Sequence, residues 1–261
     1  YLCNRLGLDT ISVGVTIGCA MEMTETGLLD ASLRFGDSGG LVAAIEDIAY
    51  RRGLGSELAE GSRAFAAKYG GSRFAMQVKG LELPAYDPRG IQGMGLGFAT
   101  SNRGGCHLRA YMIGPEVLGI PKMVDRFSTS GKAGLTIFYQ NLNTAMDSLI
   151  ICRFLGLAVS EEYFARLLSS VTGTDWQPQD LHVAGERLWT LERLYNLREG
   201  ISRQDDILPE RLLNEPVKNG PSKGHVVKLE PMLNDYYRYR GWDGLGVPIS
   251  EKLVELGLEV R

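Results

Sequence analysis

GIQGMGLGFATSNRGGCH, running from Gly90 to His107, is the stretch on which the reading of the fold turns. Six of its eighteen residues are glycine, and it closes on Cys106 and His107. Apolar periodicity disappears from Leu81 to Gly105, and Pro84 and Pro88 lead into the glycines, so the segment reads as a loop at a domain boundary. A dinucleotide fingerprint requires a strand before the glycines, a helix after them and an acidic residue about twenty positions on. Here the third glycine is misplaced and prolines precede the run. No GxxxxGK[ST] occurs, which excludes a P-loop. Bare backbone beside Thr100, Ser101, Asn102, Arg103 and His107 suits a bulky, planar, anionic ligand wedged between domains. A flexible glycine-rich connector is the alternative.

On either side of this stretch the pattern is helical. Asp9 or Ser12 is placed to cap a helix through Val13, Ile17, Met21 and Met23 that stops near Gly27. It is apolar nearly all round, which predicts burial. GGLVAAIEDIAYRRG predicts an amphipathic helix with Gly53 as its C-cap, and SELAEGSRAFAAKYGG predicts another. Beyond the loop, NLNTAMDSLIICRFLG reads as a helix that includes Cys152, and Ser160 precedes a further one. In DLHVAGERLWTLERLYNLREG the residues Leu181, Ala184, Leu188, Leu191 and Tyr195 mark the expected buried stripe, with the charged residues as a solvated face. ILPERLLNEPVKNGPSKGHVVKLEPML is proline-broken and reads as a long surface excursion, and a last helix is expected from Pro248 or Ser250 to Gly257. The fold class expected is mostly α and multihelical: two packed all-α domains, 1–85 and 86–261, with few or no strands.

Composition narrows the function. Apolar residues make up 44% and charged residues 23%, as in ordinary globular proteins, and the net charge is −3. There is no basic stripe, so nucleic acid is a poor partner. The uncharged run Thr10 to Met21 is too short to cross a bilayer, and the expected location is the cytoplasm. Cys3, Cys19, Cys106 and Cys152 form no CxxC pair and read as reduced thiols. The chain starts at Tyr1 and enters what reads as core at once, which suggests a piece of a longer protein.

Six segments, in order, resemble the tungsten- or molybdenum-dependent aldehyde ferredoxin oxidoreductase family. They are CNRLGLDTISVG from Cys3, RFGDSGGLVAAIEDIAYRRGLGSELAEGS from Arg34, VKGLELPAYDPRG from Val78, GMGLGFATSNRGGCHLRAY from Gly93, DSLIICRF from Asp147, and LNDYYRYRGWDGLGVPISEKLVELGL from Leu233. The resemblance covers essentially the whole chain. It implies a tungsten or molybdenum ion held by two pterins beside a 4Fe-4S cluster, and two motifs of the form Asp-x-x-Gly-Leu-(Asp or Cys), one per pterin. Carboxylates in such motifs accept N–H bonds from the flat ring, and glycine lets the ring lie on backbone. The first motif corresponds to Asn4-Arg5-Leu6-Gly7-Leu8-Asp9, with asparagine in place of the first aspartate. The second corresponds to Asp147-Ser148-Leu149-Ile150-Ile151-Cys152, with Ile150 in place of glycine.

By the same resemblance Asn4, Gly7, Leu8, Asp9, Asp147 and Ile151 are pterin contacts, and Cys152 is the fourth thiolate of the cluster. His107 stands beside the metal as a hydrogen-bond donor to the metal-bound oxygen or to the substrate carbonyl, and Arg109 reaches a pterin phosphate or substrate anion. The implied partners are ferredoxin, a small-molecule aldehyde and an N-terminal β-rich domain of the same protein that carries the other cluster cysteines. The implied reaction is oxidation of an aldehyde to a carboxylic acid. The alternatives are a reductive relative acting on an aromatic thioester and a metal-free helical interaction module. Alone, this chain is expected to be inactive, to hold neither cluster nor metal, and to expose apolar surface around Gly90 to Cys106 and the first helix, with oligomerisation or disorder at those faces.

Overall fold

The computed structural model describes residues 1–258. In chain order the helices of the first part are α1 (Leu2–Leu6), α2 (Thr10–Glu25), α3 (Ser38–Ala49), α4 (Leu54–Leu58) and α5 (Gly61–Lys68). A two-stranded antiparallel hairpin follows, β1 (Gln77–Val78) and β2 (Leu81–Glu82). Then come α6 (Gln92–Thr100), α7 (His107–Ala110), α8 (Lys132–Ser148), α9 (Glu161–Thr172), α10 (Pro178–Arg198), α11 (Glu210–Asn214), α12 (Leu229–Arg240) and α13 (Ser250–Glu255). The chain is mostly α, as its patterning predicts. No helix among the described residues is long and apolar enough to cross a membrane.

The expected start of α2 is realised through Asp9, whose carboxylate accepts from the Ser12 amide at 2.7 Å. Its apolar circumference is buried at Val13, Ile17, Cys19, Ala20, Met21 and Met23. Gly53 does not end α3, which stops at Ala49; at φ 49° it instead begins α4. The run expected as one helix after Ser56 is broken in two, because Gly61 turns the chain at φ 84°.

The glycine-rich stretch departs most from its sequence reading. It is helix α6, not a loop, and all nine of its residues are buried. Three mid-helix glycines cost roughly 3 kcal/mol against alanine. Met94, Leu96 and Phe98, each fully buried, return about 5–9 kcal/mol of apolar burial, so tertiary packing outweighs propensity. The glycine faces supply the clearance: an added Cβ would lie 2.5 Å from Met112 at Gly93, 2.8 Å from Val227 at Gly95 and 2.6 Å from Ala110 at Gly97. The apolar surface expected to lie open around Gly90 to Cys106 is therefore interior. The N-terminal amides of α6 at Gly93 and Met94 donate to buried Glu116, which pairs with Lys132.

The buried face of α10 also differs from the expected stripe. Leu181, Gly185, Trp189 and Arg193 face inward, whereas Leu191 and Tyr195 are exposed. Gly185 sits so close to α8 that a Cβ would collide with the Asn141 carbonyl, and Arg193 is buried because it pairs with Asp206 at 3.0 Å. The supposed surface excursion after Ile207 contains α11 and buries Leu208, Leu212, Val227 and Leu229.

Three apolar clusters result. One collects residues from Cys3 to Ala75, one runs from Val78 to Trp242 around α6, and a smaller one joins α8 to α9 and α10. Gly185→Ala should overpack the α8–α10 contact, losing about 1–3 kcal/mol and several degrees of melting temperature. Thermal denaturation checks this, and an unchanged midpoint would contradict the close approach.

Candidate functional site

The first motif is a helix end followed directly by a helix start. Gly7 closes α1 at φ 69° and returns its amide to the Cys3 carbonyl, and Asp9 opens α2. A Cβ on Gly7 would meet nothing within 4 Å, so glycine answers the left-handed backbone and not crowding. Asn4, Gly7 and Asp9 are exposed, and Leu8 is half-buried.

His107 is carried by α7 after two crowded glycines. A Cβ on Gly104 or Gly105 would lie 2.6 Å from the Val78 or Leu81 carbonyl respectively, so the backbone rests directly on the hairpin. The Cys106 sulfur accepts from the Leu108 amide at 3.3 Å and from Arg103 Nη2 at 2.8 Å. His107 is partly exposed, and the Tyr86 ring stands 5.4 Å from its imidazole. Burial, and then the Arg103 charge, push the imidazole below its ordinary 6.5, so it is neutral at pH 7. A cavity of about 410 Å³ is lined by Asp9, Ser12, Glu82, Arg103, Cys106 and His107. Asp9, the last residue of the first motif, and the histidine thus open on one hollow, whereas Asn4, Gly7, Leu8, Asp147 and Cys152 are not among its lining residues.

Arg109 connects α7 to the second motif. Its guanidinium reaches Glu192 at 2.9 Å, Thr144 at 3.1 Å and Asp147 at 3.6 Å, and it lies over the Trp189 ring. Arg153 also pairs with Asp147. The helix expected to include Cys152 ends at Ser148. Ile150 turns the chain at φ 58° with its side chain 94% exposed, so Ile151, half-buried, and Cys152, exposed, lie outside the helix. The donors read as free in the sequence are partly used: Thr100 donates to the Leu96 carbonyl, and the Asn102 amide to the Trp189 carbonyl. Tyr86, Arg153 and Glu192 escape the sequence reading. The one local signal is that Arg153 directly follows Cys152.

Whether a pterin-held metal fits can be judged from the donors. Arg109 Nε, which only faces the Asp147 carboxylate at 3.6 Å, and Arg153 Nε and Nη1 are buried without a hydrogen-bond partner among the described residues, an arrangement suited to an anionic guest with many acceptors. The backbone at Gly7 and at Ile150 is left-handed and lies beside exposed Asp9 and Cys152. These residues fit a flat, anionic ring system. A 4Fe-4S cluster is another matter. It requires four protein ligands, Cys3 and Cys106 are buried, and no group of three or more His, Cys, Asp or Glu among the described residues is placed to hold a metal. Cys152 can supply one ligand only.

Fold and site define a multihelical protein with a hollow of mixed polar and apolar lining where its first two cores meet. The chain belongs to the aldehyde ferredoxin oxidoreductase family, matching the description "Aldehyde ferredoxin oxidoreductase, domains 2 & 3" over residues 1–258. It is 46% identical over 267 aligned residues to the tungsten-containing aldehyde ferredoxin oxidoreductase of Thermococcus kodakarensis, and equally to that of Pyrococcus furiosus. Each alignment covers 99% of this chain and 44% of the relative, so the chain spans less than half the length of these curated relatives. A WOR-like subunit of an aliphatic sulfonate oxidoreductase from Pyrococcus furiosus is 28% identical over 283 residues, 99% of this chain and 42% of that relative. Among solved structures, the active-site complex of benzoyl-coenzyme A reductase shares the fold with a TM-score of 0.74. That match is at 17% identity and covers 96% of this chain and 44% of that one.

Two outcomes follow for this region. Between the lowered value of His107 and 6.5 the unfolded chain binds a proton that the folded chain does not, so stability falls as pH drops through that window. His107→Asn should flatten this acid limb, leaving the part due to His182, which burial pushes the same way; an unchanged slope of melting temperature against pH would contradict it. Ile150→Gly should stabilise the chain by about 1 kcal/mol or less, since left-handed backbone costs a side chain ~1–2 kcal/mol against ~0.5–1 kcal/mol for glycine's freedom. A clear drop in the denaturation midpoint would show that the Ile150 side chain has a packing role.

Proposed function

We propose that the chain forms the C-terminal, site-lining part, 1–85 and 86–261, of an enzyme that oxidises an aldehyde to a carboxylic acid and delivers the electrons to ferredoxin in the cytoplasm. The observation that carries this reading is the meeting of Asp9 and His107 on one cavity, with Arg109 joining the histidine's helix to Asp147. The family and its tungsten-containing relatives support it. Aldehyde and water become carboxylic acid as two protons and two electrons leave, and the tungsten–pterin group, when bound, supplies the electron acceptor and a Lewis acid for the carbonyl.

The chain's own residues would act around that chemistry. Asn4, Gly7, Leu8 and Asp9 would hold one ring, and Asp147 and Ile151 the other. Asp147 is fixed by Arg109 and Arg153 and is a rigid acceptor for ring N–H groups. Neutral His107 would donate one N–H to the substrate oxygen as negative charge builds on it. The Tyr86 ring, 5.4 Å from the imidazole and tilted against it, would flank the histidine on one side. Cys152 would supply one thiolate of an iron–sulfur cluster whose other ligands come from the rest of the full-length protein.

The test is to assay the full-length gene product with aliphatic and aromatic aldehydes and a viologen dye. Aldehyde-dependent dye reduction is expected, and His107→Ala should lower turnover on the order of 10²-fold. No dye reduction with any aldehyde would overturn the reading, and an undiminished His107→Ala enzyme would remove the histidine from it.

A further inference from the structure

The hairpin at residues 77–82 stands between the first core and the second, and each side of it is fastened by a buried charge. On one side Glu82, 4% exposed, accepts at a single oxygen from the Ser62 amide at 2.8 Å, the Ser62 hydroxyl at 2.9 Å and Thr16 at 3.4 Å. That ties β2 to α5 and α2. Gly61 is needed there, since a Cβ would come within 3.1 Å of the same oxygen. On the other side Lys79 occupies the two-residue turn, where it and Gly80 both have positive φ, as a type I′ hairpin demands. Its ammonium reaches the Ala99 carbonyl in the last turn of α6 and Asp206 at 2.7 Å. Asp206 in turn holds Arg193 of α10 and Tyr237 of α12. Between these two anchors the Gly105 amide donates to the Val78 carbonyl at 3.2 Å, two residues before His107.

We infer that this hairpin is a pin that sets the distance between Asp9 and His107 across their shared hollow, with Lys79 and Glu82 as its positioning residues. A non-glycine residue is held left-handed at Lys79, and two cations share one buried carboxylate, an arrangement that folding alone does not call for. A neutral side chain at position 79 would leave Arg193 and Asp206 as a balanced pair. The fold would survive its introduction, and the alignment of α6 and α7 against the hairpin would not.

The test uses Lys79→Met, Glu82→Ala and Glu82→Gln. The inference rests on the proposed activity only for its kinetic arm. In full-length enzyme, Lys79→Met and Glu82→Ala should lower turnover on the order of 10- to 100-fold with KM for the aldehyde little changed, and Glu82→Gln, which keeps an acceptor oxygen, should restore most of the loss seen in Glu82→Ala. The second arm needs no cofactor. The chain has three histidines, whose imidazoles can be titrated individually by NMR in the 261-residue chain. His107 faces Arg103, Tyr86 and Cys106, and loosening the pin admits water, so its titration should rise toward 6.5 in Lys79→Met and Glu82→Ala. It should stay low in Glu82→Gln, and His182 should not move in any variant. A merely structural pin would change melting temperature and leave His107 in place. An unmoved His107 in both disruptive variants overturns the inference, as does loss of the fold in both. A dead parent enzyme with the expected His107 shifts would sink the proposed activity and leave the pin standing.

Discussion

The site depends on how closely neighbouring segments pack against the bare glycine faces of α6 and of Gly104 and Gly105. Helix axes can come this near only where side chains are missing, and Gly97 faces Ala110 at a spacing that leaves no room for a second methyl group. That contact fixes α7 against α6, and Gly104 and Gly105 repeat the device against the hairpin. His107 is therefore placed by two glycine contacts against the hairpin backbone and one against the Ala110 methyl group, and not by its own side-chain bonds. Such placement is stiff, because no rotamer change can relieve it.

Two residues beyond His107, Arg109 meets Arg153 at Asp147 and also reaches Glu192, yet three of the two guanidinium groups' buried donor atoms have no hydrogen-bond partner among the described residues. A low local dielectric makes unanswered donors costly, so the region is built for an acceptor-rich guest. The depressed titration of His107 belongs to the same field, since burial and Arg103 both disfavour a further positive charge.

Much of this was legible in the sequence, and what was not has physical causes. The cap at Asp9, the buried α2 and the final helix followed from local chemistry that acts within a few residues. Helix α6 did not, because its glycines are chosen by Met112, Ala110 and Val227, which are distant in sequence or invisible to propensity. On α10 the hydropathy pattern favoured Leu191 and Tyr195, whereas Gly185 packs by being small and Arg193 is buried by Asp206, thirteen residues away. The turn after α8 carries no local signal, because isoleucine at position 150 rarely takes left-handed backbone, so the pattern through Cys152 reads as helical. Asp9, His107, Arg109 and Asp147 stand in motifs that resemble the family's, whereas Tyr86, Arg153 and the Lys79–Asp206 link carry no local signal and arise only from the fold.

If the hollow between Asp9 and His107 receives a tungsten–pterin group, anomalous diffraction at the tungsten edge from crystals of the full-length holoenzyme should show its strongest peak there, on the side toward Asp147. A peak remote from the imidazole, or one on a face that Asp9 and Asp147 do not share, would contradict the account.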